Sequence, residues 1–309
     1  MRTLVIGESL IDIVQRPDGS AREHVGGSPA NVAVGLARLG HDVTLATMIG
    51  GDERGARIAS LLEKEGVALS QGSIGGGPTS VATSTLDVTG AAAYRFDLTW
   101  ELNENQPLQG MAHVHTGSVA ATLEPGASAV LAILQKARPG ATISYDPNAR
   151  PALMGDPHEV RAKIEQLVGL SDVVKASDED IAWLYDGAPL SDILRLWGLL
   201  GPSLIVVTRG VKGAVIGLST TGELTSVDAP VVEVVDYVGA GDSFMAGLMS
   251  GHLDAGLLGG TEARKRLRSA SMADVRPAVN RALAGAAITG SHAGAYPPHR
   301  CELAITQGP

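Results

Sequence analysis

Short β-branched and apolar runs recur along the chain at residues 4–6, 43–47, 113–116, 142–145, 173–174 and 204–208. Runs of this length without polar alternation are what strands buried on both faces look like. Between several of them lie amphipathic stretches with start and stop signals. Ser28-Pro29 opens one that Gly40 ends, Asp52 opens one that Gly66 ends, and Pro125 begins a third. The alternation predicts a doubly wound α/β sheet flanked by helices. Two segments do not fit it, 10–25 and 79–98, the second with a turn at Thr89-Gly90 between runs of strand character. They read as an antiparallel flap projecting from the main sheet. After residue 204 strands follow in quick succession, at 213–217 and 224–227, and then long helical stretches at 242–253 and 274–289. No repeat and no long linker interrupts the pattern, so residues 1–309 are expected to form one domain, with a core that a 44% apolar chain can fill.

The charge balance narrows the partners. With 24 basic and 33 acidic residues the net charge is -9, which repels a polyphosphate backbone and makes nucleic acid a poor expectation. A basic cluster at Arg264, Lys265, Arg266 and Arg268 reads as a solvated helix or loop rather than a binding patch. The single cysteine, Cys301, cannot form an internal disulfide, so cytoplasm is the expected compartment. No run approaches the roughly 18 apolar residues of a spanning helix, and no membrane partner is expected.

Several common site motifs fail. None of the six lysines ends a Gly-x-x-x-x-Gly-Lys loop, and the Gly239-Ala240-Gly241 turn has Phe244 where a dinucleotide fingerprint needs its third glycine. His113 and His115 share a strand face without a third ligand nearby, which reads as packing rather than zinc binding.

Two constellations hold. In the first, residues 236–247 run from a strand end through the small-residue turn Gly239-Ala240-Gly241-Asp242 into an apolar helix. Backbone N–H groups can converge on an anion there, with the helix N-terminus adding partial positive charge. Asp242 could accept a proton from an attacking hydroxyl as a phosphoryl group is transferred. Taken alone, Asp242 reads equally well as a first-turn acid that complements the helix dipole. In the second constellation Gly26-Gly27-Ser28-Pro29-Ala30-Asn31 precedes an apolar helix face. Paired glycines admit a ligand closely, and Asn31 offers both donors and acceptors, as a hydroxyl-rich ligand requires. Asp12, on a flap strand, could accept two hydrogen bonds from neighbouring sugar hydroxyls.

Together the two segments resemble the signatures of the PfkB, or ribokinase-like, carbohydrate kinase family, and within it the fructokinases and 2-keto-3-deoxygluconate kinases. The resemblance extends through residues 7–12, Asp146-Pro147-Asn148-x-Arg150, Lys175-x-Ser177-x-x-Asp180, and Thr208-Arg209-Gly210 with Gly213. It implies a ribokinase-like, mostly parallel sheet with a small β-strand lid formed by about 10–25 and 79–98. It implies transfer of the ATP γ-phosphate to a monosaccharide hydroxyl, fructose first among the candidates, with a ribose, a nucleoside or a sugar acid as alternatives. Asp242 would be the base, and the Gly239, Ala240 and Gly241 amides the anion hole. Asp12, Gly27 and Asn31 would hold the sugar, with Tyr94 or Phe96 of the lid facing the site and Arg95 a further candidate. Arg150 could read a carboxylate or a neutral ketose. Lys175, Ser177, Thr208, Gly210, Gly213 and Asn280 would line the nucleotide. Asp180, shorter than the family's usual glutamate, would reach Mg²⁺ through water. Asp236 and Val238 occupy positions that often bind a monovalent cation such as K⁺. Tyr237 departs from the usual small residue, and the lid would often be a homodimer contact. A sugar-binding regulator that has lost turnover is the rival outside the enzymes.

Overall fold

The computed structural model describes residues 1–86 and 92–305. The Thr89-Gly90 turn and the side chain of Tyr94 lie outside what is described. In chain order the strands are β1 (Arg2–Ile6), β2 (Leu10–Gln15), β3 (Ala21–Gly26), β4 (Asp42–Ala46), β5 (Ile49–Gly50), β6 (Val67–Leu69), β7 (Ile74–Gly75), β8 (Val81–Leu86), β9 (Ala92–Asp97), β10 (Met111–Gly117), β11 (Thr142–Asp146), β12 (Val173–Ser177), β13 (Leu204–Thr208), β14 (Ala214–Leu218) and β15 (Glu223–Val227). The main sheet has the order β15-β14-β13-β12-β11-β10-β1-β4-β6. Its pairings are parallel from β6 to β13, and β14 and β15 add antiparallel. The six apolar runs all fall in this sheet.

Side-chain alternation divides the core between the two faces of the sheet. Val5, Val43, Leu45, Val173, Leu204 and Val206 face helices Ser28–Arg38, Ala240–Asp254 and Met272–Gly290. Leu4, Ile6, Val114, Ile143, Tyr145 and Ile205 face helices Gly126–Ala137, Pro157–Leu170 and Leu190–Leu200. Because Val114 belongs to the second face, His113 and His115 point to the first. There Ser144 Oγ lies 2.9 Å from a nitrogen of each, and Thr142 Oγ1 lies 2.8 Å from His113 Nδ1. Burial pushes both imidazoles down to about 3, so they stay neutral and serve as polar packing.

Helix starts follow local chemistry. Asp52 caps Glu53–Lys64 by accepting from Gly55 N at 2.8 Å, and its other oxygen accepts from Thr79 N at 2.8 Å. Those bonds, led by the Thr79 hydroxyl, pull its carboxyl down to about 2 and tie the lead-in of β8 to the main body. The flap is a four-stranded sheet of order β3-β2-β8-β9. It is antiparallel at β2/β3 and β8/β9, as expected for hairpins, but β2 and β8 run parallel, because they come from two separate excursions of the chain.

The basic cluster needs correcting in part. It lies on helix Thr261–Arg268, and Lys265 is exposed, but Arg264 is not solvated. Its Nε donates to Asp172 Oδ1 at 2.8 Å, and its Nη2 donates to the Ala141 carbonyl. Arg138 approaches the same Asp172 carboxylate at 3.1 Å, so one buried acid is shared by two guanidinium groups.

Candidate active site

The two constellations meet. Gly239 is left-handed, with φ 77°, and turns the chain into helix Ala240–Asp254, while Gly27 at φ 105° does the same for helix Ser28–Arg38. A Cβ at Gly27 would stand 2.4 Å from the Glu8 carbonyl, so only glycine lets this turn pack against the connection between β1 and β2. Asp242, in the first turn of its helix, is buried and receives Ser28 Oγ on one oxygen at 2.7 Å and Asn31 Nδ2 on the other at 2.8 Å. Burial raises its pKa above the ordinary carboxylate value. The bonds from Asn31 and Ser28 and the charges of Lys175 and Arg150 pull the other way.

The anion-hole expectation is corrected at one residue. The Ala240 N–H donates to Tyr237 O at 3.2 Å, closing the turn. Ser243 N already reaches Gly239 O, so the amides without a protein acceptor among the described residues are those of Gly239, Gly241 and Asp242 itself. Under this turn lies Lys175 of β12. Its Nζ would be 3.3 Å from a Cβ at Gly241, and it donates to Asp146 Oδ2 of β11 at 2.9 Å. The pair is almost fully buried, and Asp146 Oδ1 has no protein partner. The ammonium stays charged, because Asp146, Asp180 and Asp242 outweigh the cost of burying it.

On the flap side, Asp12 of β2 is brought toward Asp242 and Arg150. Its carboxyl is pushed up to about 6, chiefly by burial. Register places Asp12, Ala82 and Phe96 opposite one another and therefore on one face of the flap. Arg95 pairs with Thr83 and Ile13 on the other face, away from Asp12, and is exposed. Arg150 is exposed and makes no ion pair among the described residues. Its Nη1 donates to Asn148 Oδ1 at 2.8 Å and to the Asn148 and Ala149 carbonyls.

A largely apolar cleft adjoins the Gly239–Asp242 turn. Thr208, Gly210 and Gly213 line it as expected, with Tyr237, Ala240, Gly241 and Phe244 at the turn and Leu283, Ala286, Ala287 and Gly290 along the long helix. A Cβ at Gly213 would sit 1.9 Å from Val227 O, which explains the glycine there. Asn280 is exposed and not among the lining residues; the helix presents Leu283 and Ala287 instead, one and two turns on. Ser177 caps helix Asp178–Leu184 in a capping box with Asp180. Both Asp180 oxygens are engaged by backbone amides, Oδ1 from Ala149 and Oδ2 from Ser177, each at 2.8 Å. That leaves lone pairs for a hydrated ion and disfavours a direct metal bond. Asp236 accepts from Val238 N at 3.1 Å and from Gly294 N at 2.9 Å, which ties the turn to the segment after the long helix.

Ser28, Asn148, Asp146 and Glu8 were not singled out from the sequence. Asn148 stood in the Asp-Pro-Asn-x-Arg motif without a role, and its φ of 39° is a strained value that asparagine tolerates. Glu8 is buried behind Gly27, receives Ala120 N at 3.3 Å and is pushed up to about 7 by burial, against the opposing bond from Ser118 and charge of Arg150. Its proton is therefore held more tightly in the folded state. Stability from it is present below pH 4.5 and lost as pH rises through about 7. Glu8→Gln removes that dependence. Between pH 4 and 8 its unfolding free energy should gain on the parent's by on the order of 3 kcal/mol, at roughly 1.4 kcal/mol per pKa unit. Urea unfolding at both pH values checks this, and parallel curves would refute it.

The pfkB family carbohydrate kinase profile matches residues 2–300. A fructokinase from Klebsiella pneumoniae is 32% identical over 256 residues, 80% of this chain and 83% of the relative. One from Escherichia coli is 33% identical over 264 residues, 82% and 85% of the two chains. Among solved structures, a double-mutant fructokinase from Vibrio cholerae O395 in a fructose, ADP and potassium ion bound form superposes with a TM-score of 0.81 at 25% identity, covering 98% of this chain and 97% of that one. A fructokinase from Xylella fastidiosa with bound ATP, at 24% identity, shares the fold with a TM-score of 0.86, covering 98% and 97% of the two chains. The match spans both constellations, the sheet that carries them and the flap between them, so the chain belongs to the pfkB family of carbohydrate kinases.

Proposed function

We propose that this protein is an ATP-dependent fructokinase that transfers the γ-phosphate to a primary hydroxyl of fructose to give fructose 6-phosphate. The observation that carries the reading is the position of Asp242. It stands where an apolar cleft suited to a nucleotide meets a polar cradle of Asp12, Asn31 and Arg150, beside amides free to bind an anion. Asp12 accepts hydrogen bonds from neighbouring sugar hydroxyls, and Asn31 and Gly27 fix the sugar's approach. Asp242 takes the hydroxyl proton as the oxygen attacks phosphorus. The Gly239, Gly241 and Asp242 amides, with Lys175 behind them, hold charge on the transferred group. The raised pKa of Asp242 suits a group that must accept a proton near neutral pH.

Mg²⁺, held through water near Asp180, would neutralise phosphate charge. A potassium ion is proposed beside Asp236 and Val238, as the Vibrio cholerae relative's potassium-bound form suggests. The flap is proposed to close over the sugar and exclude water, with Phe96 on its inner face, and to pair with a second copy as a homodimer. Arg150, free of any ion pair among the described residues, favours a second reading in which the substrate is a sugar acid such as 2-keto-3-deoxygluconate.

ADP release with ATP and Mg²⁺ against fructose, 2-keto-3-deoxygluconate, ribose, adenosine and glucose tests these readings. Turnover confined to fructose is the expected result. Preference for the sugar acid would move the assignment to the second reading, and tight sugar binding without turnover on any of the five would leave a regulator.

A further inference from the structure

Three polar side chains form an unbroken chain into Asp242. Arg150 Nη1 donates to Asn148 Oδ1 at 2.8 Å, Asn148 Nδ2 donates to Ser28 Oγ at 2.7 Å, and Ser28 Oγ donates to Asp242 Oδ1 at 2.7 Å. Its ends fix its direction. A guanidinium can only donate, so the amide oxygen of Asn148 must face Arg150 and the amide nitrogen must face Ser28. Ser28 Oγ therefore accepts from Asn148, and its single proton is left for the carboxylate, which in its ionised form can only accept. With Asp242 ionised, no alternative set of protons satisfies all three contacts. A chain with a cation at one end and an anion at the other polarises along its length.

The backbone keeps the links in place. Asn148 is held at φ 39°, and Ser28 is the first residue of its helix, with Gly27 rather than Ser28 serving as the cap. Its hydroxyl is thereby released from capping and is spent on a residue 214 positions away. Arg150 has no competing carboxylate within ion-pair distance among the described residues, although Glu8, Asp12 and Asp242 all feel its charge.

We propose that Ser28 and Asn148 are positioning residues that hold the Asp242 carboxylate toward the acceptor hydroxyl through a chain anchored at Arg150. The inference rests on the reading of Asp242 as the base. Asn31 fixes the second oxygen independently, so the carboxylate plane is set from both sides and loses one restraint when Ser28 is removed. A hydroxyl that donates to a carboxylate also favours its ionised form. Removing it should make Asp242 harder to ionise.

Ser28→Ala is expected to lower kcat about tenfold, leave KM for the sugar within about twofold, and move the acid limb of the kcat profile upward by roughly one pH unit. Asn148→Ala is expected to do the same to a smaller extent. The double variant should be no worse than Ser28→Ala, because Asn148 acts through Ser28. A purely structural role would leave the acid limb where it is.

The carboxyl ¹³C resonance of Asp242, assigned with Asp242→Asn and titrated without substrate, gives the same readout without turnover. If the parent phosphorylates no sugar while this titration still shifts upward in Ser28→Ala, the fructokinase reading fails and the chain stands. An unchanged Asp242 titration in Ser28→Ala, or full additivity with Asn148→Ala, overturns the proposal.

Discussion

Asp242→Asn is expected to reduce kcat by about 10²–10⁴-fold, the usual contribution of a positioned general base, with a much smaller change in KM for the sugar. The new amide occupies the same space, its oxygen can still accept from Ser28, and its nitrogen can donate to Asn31 once the Asn31 amide turns its oxygen inward, so the sugar cradle keeps its shape. What it cannot do is take the hydroxyl proton. Folding should not suffer. Burial raises the pKa of Asp242, so the folded state holds this carboxylate at a cost that a neutral isostere relieves. The variant's thermal midpoint is therefore expected to match or exceed the parent's while activity is lost. ADP release and a melting curve on the same preparation check both halves. Activity within tenfold of the parent would remove Asp242 from the proton transfer.

The same burial separates the carboxyl groups of the site by role. Asp12 and Asp146 are each pushed up to about 6, but by different balances. Asp146 has the buried Lys175 ammonium 2.9 Å away, and the two stand or fall as a pair. Asp12 has no such partner and faces the polar cradle, where a sugar hydroxyl would supply the missing bonds. Substrate binding should then favour the ionised form of Asp12, and the cost of burying that carboxylate alone would be met when the pocket fills.

Much of this was legible in the chain, and the reason is local. Strands of a parallel sheet are buried on both faces, so their runs are apolar throughout and stand out wherever they occur. The turn at 239–242 and the glycine pair at 26–27 were legible because close backbone approach demands small residues in sequence. The misses share a different cause, since they depend on which distant strands become neighbours. The resemblance marks Lys175 as a nucleotide residue, but its partner Asp146 follows only from the adjacency of β11 and β12. Arg95 and Phe96 are adjacent in sequence, and only the register of β9 against β8 says which of them faces Asp12. Ser28 carries a sharper lesson. A serine before Pro29 reads as a helix cap, yet the cap is Gly27, and the hydroxyl serves Asp242 instead. The capping box of Ser177 and Asp180 was readable from its spacing, but the resemblance drew attention to metal at those positions.

The largest expected loss of stability lies away from the site, at Asp172. Its carboxylate is 2% exposed and holds Arg138 at 3.1 Å and Arg264 at 2.8 Å, while Oδ2 receives the Ile143 amide at 2.8 Å. Asp172→Ala would leave two partly buried guanidinium groups without a carboxylate and a strand N–H without an acceptor. The expected cost is about 3–5 kcal/mol, the penalty for breaking a buried ion pair from one side. The exposed pair of Lys265 with Glu262 on the same helix is a control, and Lys265→Ala should leave the unfolding midpoint unchanged. The position matters to the site because Asp172 joins β11 and β12 where they begin, and Asp146 with Lys175 joins the end of β11 to the middle of β12. Between those two ties the strands pair at only Ser144 with Val173 and Tyr145 with Val174. Loosening the first tie should lower global stability in urea unfolding and leave KM for the sugar near that of the parent, because the second still holds Lys175 beneath Gly241. If Asp172→Ala instead raised KM severalfold at a temperature where it is fully folded, the two ties would be acting as one unit, and the ends of β11 and β12 would depend on how they begin.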